Sequence, residues 1–206
     1  EGMGNDIANG WRSIGLNNLT HDVKDFSVIK KNKDEIKISV ELLVIGNNYN
    51  SGFDVKYNYI INNNGKITID YKTTPLSCMT QWLPKIGLQM KLKKDFQKLK
   101  WLGRGPFENY PDRKTGAKMG IYENNVDEEY QPYLIPQDYG NKTDVKWASL
   151  SNKENVGLAV AGNELLNISA HKFSPDNLTR AQYTFQLEEA NWITLNIDDK
   201  LSGVGG

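Results

Sequence analysis

From Glu35 onward, apolar and polar positions alternate one for one. Ile36, Ile38, Val40, Leu42 and Val44 fall on one side of the chain, and Lys37, Ser39 and Glu41 on the other. A period of two is what a half-buried β-strand requires, because successive side chains leave the backbone on opposite faces. Val55, Tyr57, Tyr59 and Ile61 repeat the pattern, Asn62-Asn63-Asn64-Gly65 supplies a turn, and Ile67, Ile69 and Tyr71 run back. That predicts a hairpin. Ile86, Leu88, Met90 and Leu92 predict another strand, and "KLKWLG", "AKMGIYEN", "VKWASLSN", "GLAVAG", "LLNISAHKF", "AQYTFQLEE" and "WITLNID" predict more. Helical spacing is scarce. Ser174 followed by Pro175 reads as a cap and a first helical residue, enough for a turn or two. Residues 1–20, rich in Gly and Asn, read as an irregular lead-in anchored by Trp11. Many short strands between turn signals predict an all-β fold, a large antiparallel sandwich forming one domain over residues 1–206.

Composition narrows the partners. The 206 residues carry 25 acidic and 25 basic side chains, so no net field recommends nucleic acid or an anionic membrane surface. No apolar run approaches the roughly 20 residues of a membrane-spanning helix. One cysteine, Cys78, allows no internal disulfide and reads as a small buried hydrophobe. The chain opens on "EGMGND" and closes on "GVGG", and is expected to be a piece of a longer polypeptide.

Candidate chemistry is sparse. The metal, phosphate and nucleophile-elbow motifs HExxH, CxxC, GxxxxGK[ST] and GxSxG are all missing. Two histidines, His21 and His171, leave little for acid–base work near neutrality. Glycoside cleavage needs two carboxyl groups about 5–9 Å apart. Asp127-Glu128-Glu129 reads as a solvated loop, and Asp198-Asp199 as the end of a strand. Glu108 and Asp112 lie in "GRGPFENYPDR", residues 103–113, which holds two glycines, two prolines and four charges. Arg104 and Arg113 match the two acids in number. The expectation is a self-neutralising structural cluster with carboxyl pKa values held low, not a working acid. Of five tryptophans, Trp101 and Trp147 sit in apolar strand patterns, Trp82 in a turn, and Trp192 at a strand entrance where a ring could project outward.

The run "WLGRGPFENYPDRKTGAKMGIYENNVDEEYQPYLIPQDYGNKTDVKWASL", residues 101–150, resembles the signature of the C-terminal, small-chain region of glycoside hydrolase family 2 β-galactosidases. "GNDIANGW", "LPKIGLQMKL" and "LNIDDKLSGVGG" extend the resemblance over the whole chain. It implies a galactose-mutarotase-like supersandwich with no catalytic residue of its own. The two catalytic glutamates, and any magnesium and sodium, would belong to a (β/α)8 barrel elsewhere in the parent, itself compatible with a homo-oligomer. The implied partners are that barrel and, in the intact enzyme, a galactoside. Trp192 matches a Trp that helps close the galactose pocket, although Ile193 and Thr194 separate it from Leu195-Asn196-Ile197-Asp198. Arg104, Glu108, Asn109, Tyr110, Asp112 and Arg113 form the structural or interface motif. A carbohydrate-binding module and an aldose 1-epimerase-like enzyme stay open as alternatives.

Overall fold

A computed structural model describes residues 3–30, 32–46, 51–77 and 82–202. Cys78 lies outside them. The chain divides into two compact units, residues 1–82 and 83–206, each built on one antiparallel sheet.

In the first unit, α1 (Met3–Ser13) precedes β1 (Thr20–Lys30), β2 (Glu35–Ile45), β3 (Gly52–Asn62) and β4 (Ile67–Pro75). These four strands pair in chain order. Register explains the alternation: Phe26 faces Val40, Val40 faces Tyr57, and Tyr57 faces Tyr71. One face is therefore apolar and aromatic, with the Tyr57 and Tyr71 ring centroids 5.9 Å apart. The expected hairpin is the β3–β4 pair, and Gly65 takes the positive φ of +86° that its turn needs.

Two departures have local causes. The lead-in is helical over Met3–Ser13, where Ile7 and Trp11 fall one helical turn apart among poor helix formers. Strand β1, which places an exposed His21, escaped the period-two reading because a register shift between Val23 and Asp25 breaks the alternation.

The second unit holds β5 (Lys85–Lys93), β6 (Lys98–Gly105), β7 (Lys118–Asn125), β8 (Lys142–Ser151), β9 (Gly157–Phe173) and β10 (Glu189–Leu201), in the order β5-β10-β9-β8-β6-β7. The runs "GLAVAG" and "LLNISAHKF" are the two ends of β9. Apolar residues meet across the sheet: Leu99 faces Leu150, which faces Leu158, and Leu195 faces Ala170. Trp101, Leu99, Ile168 and Ile193 are fully enclosed in this core. Burying one side chain of this size contributes about 1.5–3 kcal/mol. Trp147 is not among them; it pairs with Leu102, one position out of phase with Trp101, and is half-buried. The helix α2 (Pro175–Arg180) forms as expected, with the Ser174 hydroxyl accepting from the Asn177 N–H at 3.1 Å. "AQYTFQLEE" is not a strand: it is an irregular segment around a short 3-10 turn at Thr184–Gln186. Its side chains bond the segment's own backbone, which competes with sheet pairing. Among the described residues, no helix is long and apolar enough to cross a membrane.

The acidic run at 127–129 is only partly a solvated loop. Glu129 is buried in a 3-10 turn, where it forms a short ion pair with the equally buried Lys142 and accepts from Asn124 Nδ2 at 2.7 Å. Lys142 Nζ stands 5.0 Å above the Trp101 ring centroid. Removing one partner strands a buried charge, whereas replacing both with apolar groups does not. Lys142→Ala is expected to cost about 3–5 kcal/mol. The Glu129→Leu/Lys142→Met pair should recover most of that loss, as read from urea midpoints.

Candidate functional site

The motif at 103–113 begins in β6, where Gly103–Gly105 pair with β7, and leaves it at a cis Gly105–Pro106 bond, after which its backbone polar groups need partners outside the sheet. Asn109, fully buried, does most of this. Its Nδ2 donates to the carbonyls of Phe107 (2.9 Å) and Arg104 (3.3 Å). Its Oδ1 accepts from Thr143 N (2.9 Å) and Thr143 Oγ1 (2.6 Å). Its backbone N–H donates to Asn141 O at 2.8 Å, and its carbonyl accepts from Asn141 Nδ2 at 2.8 Å. Gly105 permits a close approach, since a Cβ there would come within 2.7 Å of the Tyr122 ring.

The charges pair differently from expectation. Glu108 is almost enclosed: Oε1 accepts from Arg113 Nη2 at 2.8 Å and from the Tyr133 hydroxyl, and Oε2 accepts from Gly140 N–H at 2.8 Å. Gly140 presents that N–H from a φ of +70°, where a side chain would be strained. Arg104 bonds neither motif acid. Its guanidinium pairs with Asp144 and donates to Ala117 O at 2.9 Å. Lys114 Nζ reaches the same carboxylate at 2.9 Å. Burial pushes the Asp144 pKa up, but the hydrogen bonds from Arg104 and Lys114 outweigh it and hold the group below the usual carboxylate range. Asp112 is exposed and makes no ion pair among the described residues. The cluster is thus not self-neutralising: Asp144, 40 positions from Arg104, supplies the missing charge. Tyr110 exchanges backbone hydrogen bonds with Arg113, whose guanidinium lies 5.3 Å from the Tyr110 ring centroid. Burial pushes the Tyr110 hydroxyl pKa up.

Trp192 enters β10 half-buried. Lys91 Nζ lies 4.2 Å from its ring centroid, and its Nε1 donates to Thr194 Oγ1 at 3.2 Å. Alternation places Trp192, Thr194, Asn196 and Asp198 on the face opposite Ile193, Leu195 and Ile197. That face carries a polar ladder, buried at Thr194, Asn196 and Asp198. Gln89 Nε2 donates to Asn196 Oδ1 at 2.9 Å, and Asn196 Nδ2 donates to Ser169 Oγ at 3.0 Å. His171 stands opposite Thr194 in register, enclosed, with Nε2 2.7 Å from Tyr139 O. Burial lowers its pKa, so the neutral ring donates from Nε2. Asp198 does not merely end the strand. Burial, aided by Asp138 and opposed by Lys85, pushes its pKa up to about 6.

The motif and the Trp192 ladder share one support, the segment 138–144. Gly140 and Asn141 hold Glu108 and Asn109, Asp144 holds Arg104, and Tyr139 holds His171. Sequence reading missed this segment as a unit because "DYGNKTD" has no hydrophobic period; its glycine and polar density was the available signal. A polar cleft of about 730 Å³ at the ends of β6–β8, lined by Gln97, Glu123, Asn124, Glu128 and Asn152 among others, contains neither Trp192 nor any residue of the 103–113 motif. No group of three or more His, Cys, Asp or Glu among the described residues could hold a metal ion.

Asn109→Ala would leave buried polar groups of Thr143 and the loop unpaired. It should lower stability by about 2–4 kcal/mol, against less than about 0.5 kcal/mol for Asp112→Asn, in urea unfolding. Asp198 gives a pH signature. Its folded pKa lies above the unfolded value, so its contribution to stability is full below about pH 4 and is lost as pH rises through about 6. Asp198→Asn should therefore gain on the parent chain between pH 4 and 7, by about 3 kcal/mol, in unfolding curves at the two pH values.

A family model described as β-galactosidase small chain matches residues 2–206. A β-galactosidase of Priestia megaterium is 34% identical over 95% of this chain and 18% of its own length. One from Lactobacillus delbrueckii subsp. bulgaricus is 31% identical over 100% of this chain and 19% of its own length. One from Pseudoalteromonas haloplanktis is 38% identical over 72% and 14%. The chain thus spans less than a fifth of the length of these curated relatives. It shares their small-chain region along its whole extent, and so belongs to the β-galactosidase small-chain family.

Proposed function

We propose that this chain is a non-catalytic part of a β-galactosidase that hydrolyses terminal β-D-galactose residues. In that reading it supplies a wall of the galactose pocket, through Trp192, and an interface to the catalytic barrel, through the 103–113 motif. The observation that carries the reading is the state of Glu108. The one inward carboxylate of residues 103–113, Glu108, already accepts three hydrogen bonds, and Asp112, four positions on, is exposed. They are not arranged as the acid and nucleophile of a glycosidase, and this reading assigns bond cleavage to carboxyls elsewhere in the parent.

The polar ladder supports a supporting role for Trp192. A ring flanked by Lys91 and tied to Thr194 by its N–H is held at a fixed angle, as a stacking wall requires. The histidines lend no support to an epimerase, since His171 is enclosed and bonded and His21 is exposed on β1.

The test is a chimera in which this chain replaces the matched region of the Priestia megaterium relative. The chimera should hydrolyse a nitrophenyl β-galactoside, while the 206-residue chain alone should not. Trp192→Ala in the chimera should raise KM by roughly tenfold, the loss of one aromatic contact of about 1.4 kcal/mol. Unchanged KM and kcat would remove the pocket-wall role. Turnover by the chain alone would remove the whole reading.

A further inference from the structure

Between α2 and β10, two aromatic rings stand in water. Tyr183 is 56% exposed and Phe185 81%. Their centroids lie 5.5 Å apart with the planes only 8° from parallel. Phe185 is therefore backed on one face by Tyr183, and its other face is open.

The segment that carries them is not loose. Gln186 Oε1 accepts from the backbone N–H groups of Gln182 (2.7 Å) and Tyr183 (3.1 Å). Asn177 clamps the far side, with Nδ2 donating to Gln186 O at 3.2 Å and Oδ1 accepting from Glu188 N–H at 3.0 Å. Leu187 anchors the turn in the cluster of Tyr139, Phe173 and Leu178. An exposed aromatic pair whose backbone is held by four local hydrogen bonds has had its ordering cost met in the free protein, which favours a ligand-binding role.

We propose that the Tyr183–Phe185 pair is a saccharide platform, separate from Trp192, that takes the apolar face of a pyranose ring on the open side of Phe185. The surroundings favour a sugar over a protein partner. Gln182, Thr184, Gln186 and Glu188 alternate with the two aromatics along the chain and are all exposed, which supplies the segment with hydrogen-bonding groups that suit hydroxyls. A protein hot spot would instead sit at the centre of a desolvated apolar patch. The pair lies nine and seven residues before Trp192 in the chain, and none of its hydrogen bonds is shared with that side chain. The inference rests on the β-galactosidase reading only for the choice of lactose as probe.

The 206-residue chain, labelled with nitrogen-15, is titrated with lactose and, as a ringless polyol, with glycerol. Saturable shifts at residues 182–188 with lactose alone are expected. Phe185→Ala should weaken them by roughly tenfold, while Phe185→Trp preserves them. Because both side chains are exposed, these variants should unfold at the parent temperature. Equal shifts with glycerol, or none at 182–188, would overturn the platform. Shifts confined to Trp192 and Thr194 would overturn it while favouring the pocket-wall reading. Self-association that Phe185→Ala abolishes, without lactose shifts, would make the pair a protein contact instead. A failed chimera would leave the titration unaffected, so the two readings fail separately.

Discussion

Past Gly105 the 103–113 motif leaves the sheet, and whatever encloses it must supply the hydrogen bonds its backbone no longer finds there. In this chain one carboxamide meets most of that need. Asn109 gathers two carbonyls of its own loop and both donors of Thr143, while its main chain pairs with Asn141. No other side chain of this size offers two donors and a two-lone-pair acceptor without a charge that would need its own compensation. Because Asn109, Asn141 and Thr143 are buried, losing one of them strands polar groups of the others.

The electrostatics follow from that fixed backbone. Once the loop is set against residues 138–144, Glu108 meets the Gly140 N–H and Arg104 meets Asp144. Deeper in the same unit, Glu129 and Lys142 are paired beside Trp101, at the start of β8. Two ion pairs and one carboxylate–amide hydrogen bond thus hold one short segment. A buried pair of this kind adds little net stability over an apolar substitute, yet it penalises every register in which the partners miss one another. The value of these pairs here is in fixing position. The segment they fix also carries the Tyr139 carbonyl that meets His171, and so bears on the polar ladder behind Trp192.

Period-two alternation located β2 to β8, both ends of β9 and the body of β10, because burial on one sheet face writes itself directly into the order of residues. It failed where that relation breaks. A register shift in β1 displaced the apolar positions, a Gly- and Asn-rich run hid the helix at Met3–Ser13, and aromatic content made residues 181–189 look like a strand. The last of these is held off the sheet by Gln186 and Asn177, whose bonds to the local backbone carry no periodic signature. Residue pairing was the least legible feature. Arg104 and Arg113 have adjacent acids of equal number, and only Arg113 uses one of them.

By itself, then, the order of residues determined the all-β architecture and, through its motifs, the family. Those are properties of local conformational preference and of one-dimensional pattern. Tertiary structure alone decided that Asp144 rather than Asp112 answers Arg104, that Glu129 and Asp198 are enclosed, and that Gln186 and Asn177 hold two aromatic rings open to water. Each of those outcomes depends on which distant groups share a low-dielectric interior or a strand edge. Separation along the chain says nothing about that proximity, and Coulomb and hydrogen-bond energies are set by distance in space.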